Sequence, residues 1–208
     1  MSAADWAAVA LSLRVALAAT GLAVVPGVAL AWALARSKLP GAFLWQHATM
    51  LPLVLPPVVT GYALLLVLPK TVAFTWLAAV LASAIVGFPL LVQTARVAFE
   101  AMDPEVEDAA RADGASGWQL AWRVTLPLAR PGILAGLALH FARALGEFGA
   151  TVVVAGNIPM RTQTLPLALY ARLNEPGGEA PALRLAAIAV LISACCLGAY
   201  SAWMRRAA

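Results

Sequence analysis

Apolar residues along this chain fall in long unbroken runs, not in the alternation of a half-buried strand or the narrow stripe of a soluble helix. The runs 15–35, 48–69, 71–95 and 185–204 contain no charged residue. Each reaches the roughly 20 residues that carry a helix across a bilayer. Runs and breakers together predict five spans, at about 8–35, 44–68, 71–98, 129–154 and 182–204. The fourth is interrupted by His140, Arg143 and Glu147. Only the neighbourhood of Pro69-Lys70 separates spans two and three, which predicts a tight antiparallel hairpin, whereas a polar stretch from about 99 to 128 separates spans three and four.

Composition sharpens this picture. Of 208 residues, 62% are apolar and 12% charged, against about 45–50% and about 25% in an ordinary soluble domain. A water-soluble enzyme is excluded, and the chain reads as one all-α integral membrane domain over 1–208. The net charge of +4 is scattered singly between apolar runs, which points to topology-setting loops and not to nucleic acid. Arg36, Lys38, Arg96, Arg111, Arg123, Arg130, Arg205 and Arg206 collect on one side, and Arg14, Lys70, Arg161, Arg172 and Arg184 on the other. Eight against five places 99–128 and the C-terminus in the cytoplasm and the N-terminus outside. No basic leader or small-residue cleavage site precedes the first run, so that run is expected to remain as a span. Cys195 and Cys196 are adjacent in the last run and behave as small hydrophobes.

The polar stretch carries helix signals. Asp103 reads as an N-cap, Pro104 as the first helical residue, and Glu105, Glu107 and Asp108 as first-turn acids that the helix N-terminus favours. Gly114 ends that helix. Ser116 caps a second one, through Trp118 and Trp122, which Leu126-Pro127 is expected to break. On the other side, 155–181 contains Thr164–Tyr170, apolar but too short to span. It predicts a re-entrant or interfacial piece.

Two places in the spans invite a chemical reading. Pro52, Pro56 and Pro57 each remove a backbone donor, so span two is kinked or unwound. Discontinuous helices are a pointer to a substrate path, and Thr60 and Gly61 would then present hydroxyl and backbone dipoles to it. A static kink packed against neighbours fits the same residues. In span four His140, Arg143, Glu147 and Thr151 fall on one helical face, which must face protein or water because charge at membrane depth is costly. Arg143 either lends positive potential to an anion path or forms a neutralised pair with Glu147. The pair is the preferred reading, since an uncompensated arginine would hold an anion too tightly to release it. Gly132 and Gly136 form a G-x-x-x-G packing step.

From Asp108 the polar stretch runs Asp108-Ala109-Ala110, three residues, Gly114, nine residues, then Val124-Thr125-Leu126-Pro127. This resembles the E-A-A, G, I-x-L-P loop of ABC importer permeases, with Asp108 for Glu (Glu107 stands beside it) and Val124 for Ile. Leu51–Tyr62, Ala144–Thr151, Asn157-Ile158-Pro159 and Thr162–Leu167 are similar to molybdate importer permeases; sulfate and tungstate permeases are close relatives. The resemblance implies the type I permease fold, with about five transmembrane helices and cytoplasmic coupling helices. It implies a bacterial inner-membrane homodimer that joins a separate cytoplasmic ATPase and receives molybdate, or tungstate, sulfate or thiosulfate, from a periplasmic or lipid-anchored binding protein. Glu107, Asp108, Ala109, Ala110, Gly114, Leu126 and Pro127 would form the ATPase-coupling surface. Pro56, Pro57, Thr60, Gly61, Arg143, Glu147 and Thr151 are the candidates for the translocation path. The outer hinge at Pro69-Lys70 is shorter than the family pattern.

Catalytic residues are not expected. No G-x-x-x-x-G-K-[ST] loop is present, so ATP and its magnesium belong to the partner and no cofactor or metal is expected in this chain. A membrane cytochrome using His47 and His140 as haem ligands, or another membrane enzyme, is the competing class. A secondary transporter would need no coupling loop and would often carry repeat symmetry, and none is apparent.

Overall fold

A computed structural model describes residues 2–36 and 40–207. Lys38, one of the inner charges above, lies outside the described residues, as do the side chains of Arg205 and Arg206. The described chain is helical throughout: α1 Ala3–Ala35, α2 Ala42–Val54, α3 Pro57–Val67, α4 Trp76–Glu100, α5 Pro104–Ala112, α6 Gly117–Leu120, a π-helical turn Ala121–Thr125, α7 Leu126–Leu145, α8 Gly149–Ala155, α9 Leu165–Leu173 and α10 Glu179–Ala207.

The centre of the bundle is α4, packed along α1 on one side and α7 on the other. Lipid removes most of the hydrophobic drive between helices, so close contact depends on small residues that let backbones approach. Accordingly α1 buries Ala8, Ser12, Ala16, Ala19, Ala23, Gly27 and Ala31 along one stripe, and α4 buries Ala78, Ala79, Ala82, Ser83, Ala84 and Gly87. The G-x-x-x-G step of α7 faces α4: a Cβ on Gly132 would collide with the Ala98 methyl, and one on Gly136 would stand 3.0 Å from the Leu91 carbonyl oxygen. His140 knits the three helices together, its Nε2–H donating to the Ala84 carbonyl (3.2 Å) and its Nδ1 facing the Thr20 hydroxyl (3.1 Å).

Among the described residues, four helices are individually long and apolar enough to cross a membrane, and five spans result if α2 and α3 count as one bent by 113°. That bend has a local cause. A residue before proline is driven out of the α region, and in Leu55-Pro56-Pro57 this happens twice, leaving Leu55 at ψ 143° and Pro56 at ψ 131°. Pro57, with φ preset and no N–H to satisfy, then starts α3. Pro52 lies inside α2 and does not interrupt it.

Three expectations change. Span three begins at Trp76, not at 71, because residues 69–75 form a turn in which Phe74 takes φ +58° and its N–H donates to the Val154 carbonyl. Span four is two helices, broken at Gly146–Phe148. Leu126-Pro127 does not end the second polar helix; the π-helical turn absorbs the proline and the helix runs on continuously from Gly117 to Leu145. A proline ring clashes with the carbonyl one turn back, and a widened turn, here with the Leu126 N–H reaching the Ala121 carbonyl, relieves that crowding.

On the opposite side of the bundle the short apolar stretch forms α9, which packs on α1 and α10. Its first N–H, on Leu165, is satisfied by the buried Ser12 hydroxyl at 2.6 Å. Arg172 near its C-terminus bonds Asp5 (3.0 Å) and Glu175 (2.9 Å), and the Asp5 and Glu175 carboxylates push the guanidinium titration further up. Asp5 in turn accepts the Ser2 N–H in the capping box that starts α1.

Candidate functional site

Two groups of candidate residues are brought together at opposite places in the fold. The first is the polar stretch between α4 and α7. Asp103 accepts the Glu105 N–H (2.9 Å) and Ser116 the Gln119 N–H (3.3 Å), so both helices start on side-chain caps. Between them Gly114 takes φ +86°, with its own N–H on the Arg111 carbonyl and the Ala115 N–H on the Ala110 carbonyl, both at 3.0 Å. The result is a helix, a left-handed glycine turn and a second helix that feeds α7.

The two acids of this motif differ sharply. Glu107 is buried and accepts from Arg36 at the end of α1, from Arg111 (3.1 Å) and from the Thr125 hydroxyl (2.9 Å). Asp108 is exposed and, among the described residues, bonds only Arg111, at 2.7 Å. Ala109 and Gly114 are exposed with it, Ala110 and Leu126 are half-buried, and Pro127 is exposed. Val106, Trp118 and Trp122 add exposed apolar area, the two indoles meeting at a tilt of 57° with 5.1 Å between ring centroids. A cavity of about 230 Å³ lies between this surface and α1, lined by Trp32, Arg36, Glu107, Arg111 and Thr125 among others. The sequence pattern marks Arg36 only as a topology charge and Thr125 only as the variable position of the L-P motif, so neither reads as a site residue before the fold brings them to Glu107.

The second group lies where the two helix breaks meet, because α3 packs on α8. A Cβ on Gly61 would stand 2.7 Å from the Ala150 carbonyl oxygen, and one on Gly149 would stand 2.9 Å from the Pro57 Cβ. Thr60 and Thr151 are buried on these helices, and neither hydroxyl has a hydrogen-bond partner among the described residues. Pro56 is exposed and Pro57 half-buried. Glu147 occupies the break itself. It is 2% exposed, its Oε1 accepts the Ala150 N–H at 2.7 Å, and its Oε2 lies 2.7 Å from Arg143 Nη1, close enough for an ion pair although no N–H points along the contact. The carboxylate therefore satisfies a free donor at the start of α8, where a helix terminus favours negative charge.

The expected single polar face of span four is corrected by that break. His140 turns between α1 and α4, Arg143 reaches across to Glu147, and Thr151 belongs to the next helix. His140 is also no ligand for a haem iron, since both ring nitrogens are engaged and a Cβ on Gly87 would already lie 2.9 Å from the ring.

Comparison with known proteins places this geometry. The family described as binding-protein-dependent transport system inner membrane component matches residues 12–207. The Escherichia coli K12 protein named molybdenum transport system permease protein ModB is 43% identical over 97% of this chain and 94% of its own length. A Bacillus subtilis protein named putative molybdenum transport system permease protein YvgM is 44% identical over 80% of each. The E. coli sulfate transport system permease protein CysT is 36% identical over 80% of this chain and 66% of its own. Among solved structures, the MetNI methionine ABC transporter in inward-facing form gives a TM-score of 0.74 at 14% identity, covering both chains fully, and an amino acid ABC transporter gives 0.73 at 19% over 98% and 94%. At those identities the structures speak to the fold alone.

Proposed function

The chain belongs to the family of binding-protein-dependent transport inner membrane components, and from that membership we propose that it is the pore-forming permease of an ATP-driven molybdate importer. The observation that carries the substrate is the near full-length 43% identity to the E. coli molybdenum permease, against 36% over a shorter stretch for the sulfate permease. In this reading two copies of the chain form the pore in the bacterial inner membrane, with the N-terminus outside and the C-terminus in the cytoplasm. A separate ATPase docks on α5 and α6, and a periplasmic or lipid-anchored binding protein delivers the oxyanion. The chain itself performs no covalent chemistry, and ATP with its magnesium stays on the ATPase.

The two candidate groups then have distinct tasks. The junction of α3 and α8 supplies hydroxyls and helix ends along the path, while Glu147 cancels the charge of Arg143. An anion passing such a site meets dipoles instead of a fixed net charge, and this favours release. The cytoplasmic stretch exposes Asp108, Ala109, Trp118 and Trp122 to the ATPase. Each ligand drives the cycle only to the extent that it prefers one conformation over the other.

The test is uptake of labelled molybdate by cells lacking their own importer and supplied with this chain, its ATPase and its binding protein, challenged with excess sulfate. Sulfate-resistant uptake that depends on this chain is the expected result. Uptake abolished by sulfate would move the substrate to the sulfate branch.

Gly114→Val probes the docking surface. A Cβ there meets nothing within 4 Å, so space is not the obstacle; the left-handed backbone is, at a cost of about 1–2 kcal/mol. The turn is expected to re-form with the two helices displaced. Membrane insertion should be normal, while ATPase co-purification and uptake fall together. Wild-type uptake by this variant would remove the coupling role from the turn.

A further inference from the structure

Of the residues in α5, Glu107 alone is buried. The one deeply buried link from that helix to the bundle is therefore a carboxylate, with Ala110 half-buried beside it. Its two oxygens receive donors from three places: Arg36 at the end of α1, Arg111 one turn further along α5, and Thr125, the last residue of the π-helical turn at the foot of α7. Residues 101–103 and 113–116, which flank α5, are turn and irregular backbone, whereas the bonds from Arg36 and Arg111 to Glu107 are charge-assisted and so among the stronger hydrogen bonds.

We infer that Glu107 is a positioning residue that clamps α5 to the ends of α1 and α7, so that a push on α5 moves both spans, and that it is not itself an ATPase contact. This rests on the reading that α5 docks an ATPase. The burial supports it, because a side chain already saturated by internal donors has little left to offer a partner, whereas Asp108 on the next position is 73% exposed at its side chain. The clamp is polar and borders the 230 Å³ cavity.

The experiment uses the full complex of this chain, ATPase and binding protein in liposomes, and reads three quantities: ATPase co-purified per chain, ATP hydrolysed, and molybdate transported per ATP. Glu107→Gln is expected to keep full assembly and to lose about tenfold in molybdate per ATP, within the range of a site-to-site coupling. Thr125→Val, which deletes one hydroxyl, is expected to lose about threefold, the size of one net hydrogen bond. With Cys195→Ala and Cys196→Ala as background, Arg36→Cys combined with Glu107→Cys is expected to lose coupling and to regain it when a short bis-maleimide, adding one thiol at each end, joins the two positions. That rescue distinguishes a clamp from a fold requirement, and with Thr125→Val it decides the matter if Glu107→Gln fails to accumulate.

Unchanged molybdate per ATP in Thr125→Val and in the unjoined cysteine pair would overturn the clamp, as would a joined pair that stays inactive. Reduced ATPase assembly with an unchanged ratio in Glu107→Gln would make Glu107 a docking contact instead. If the wild-type chain fails to assemble with the ATPase at all, the underlying reading falls instead.

Discussion

Gly61→Val is expected to abolish uptake and to destabilise the protein more than any exposed glycine replacement. The added Cβ would stand 2.7 Å from the carbonyl oxygen and 2.8 Å from the Cα of Ala150, and 3.1 Å from the Val153 Cβ. The first two are backbone atoms of α8, so no side-chain rotation relieves them, and α3 must separate from α8. Overpacking of this kind costs about 1–3 kcal/mol or more. Here it acts on two helices of 11 and 7 residues that are too short to persist unpacked. Thermal unfolding in detergent and molybdate uptake are the measurements. Gly21→Ala is the control: nothing lies within 4 Å of its Cβ, and alanine in a helix is favoured over glycine by about 1 kcal/mol. Equal behaviour of the two variants would mean that α3 and α8 do not depend on close contact at residue 61.

The contrast shows which parts of this fold could be read from sequence. Long uncharged runs gave the long helices because burial in lipid demands nothing more specific than length and apolarity. Caps were legible for a similar reason: Asp103, Ser116 and Gly114 act on neighbours two or three residues away, within the reach of a local pattern. The break in span two was announced by Pro56-Pro57, whose effect on backbone angles is also local. The break at Gly146–Phe148 carries no proline. It is held by Glu147 capping α8 from three residues away, a role its residue type does not announce, and by α3 lying against it, a contact between distant segments. The continuation through Leu126-Pro127 fooled the local rule because a π-helical turn accommodated the ring. Glu107 shows the same limit at the candidate site. Sequence placed it beside Asp108 in one motif, and only the approach of Arg36 and Thr125, 71 and 18 positions away, separates a buried acid from an exposed one.

Arg143 and Glu147 give the other large effect, and a double variant separates the two readings of the pair. Arg143→Gln leaves Glu147, 2% exposed, with only the Ala150 N–H among the described residues; a buried charge stripped of its partner costs about 3–5 kcal/mol. Glu147→Gln should be milder, because the amide oxygen still accepts from Ala150 and the Arg143 side chain, 28% exposed, has some access to solvent. In Arg143→Gln/Glu147→Gln both charges are gone and the capping acceptor remains. Residues in direct contact are non-additive by about 0.5–3 kcal/mol, so the double variant is expected to unfold at a higher temperature than Arg143→Gln. If the pair is a neutral strut across the α7–α8 break, uptake returns along with stability, and this is the outcome the geometry favours. A double variant that is stable but transports less than a tenth of the wild-type flux would instead place the guanidinium in the anion path, with Glu147 as the counter-ion it leaves when the break opens.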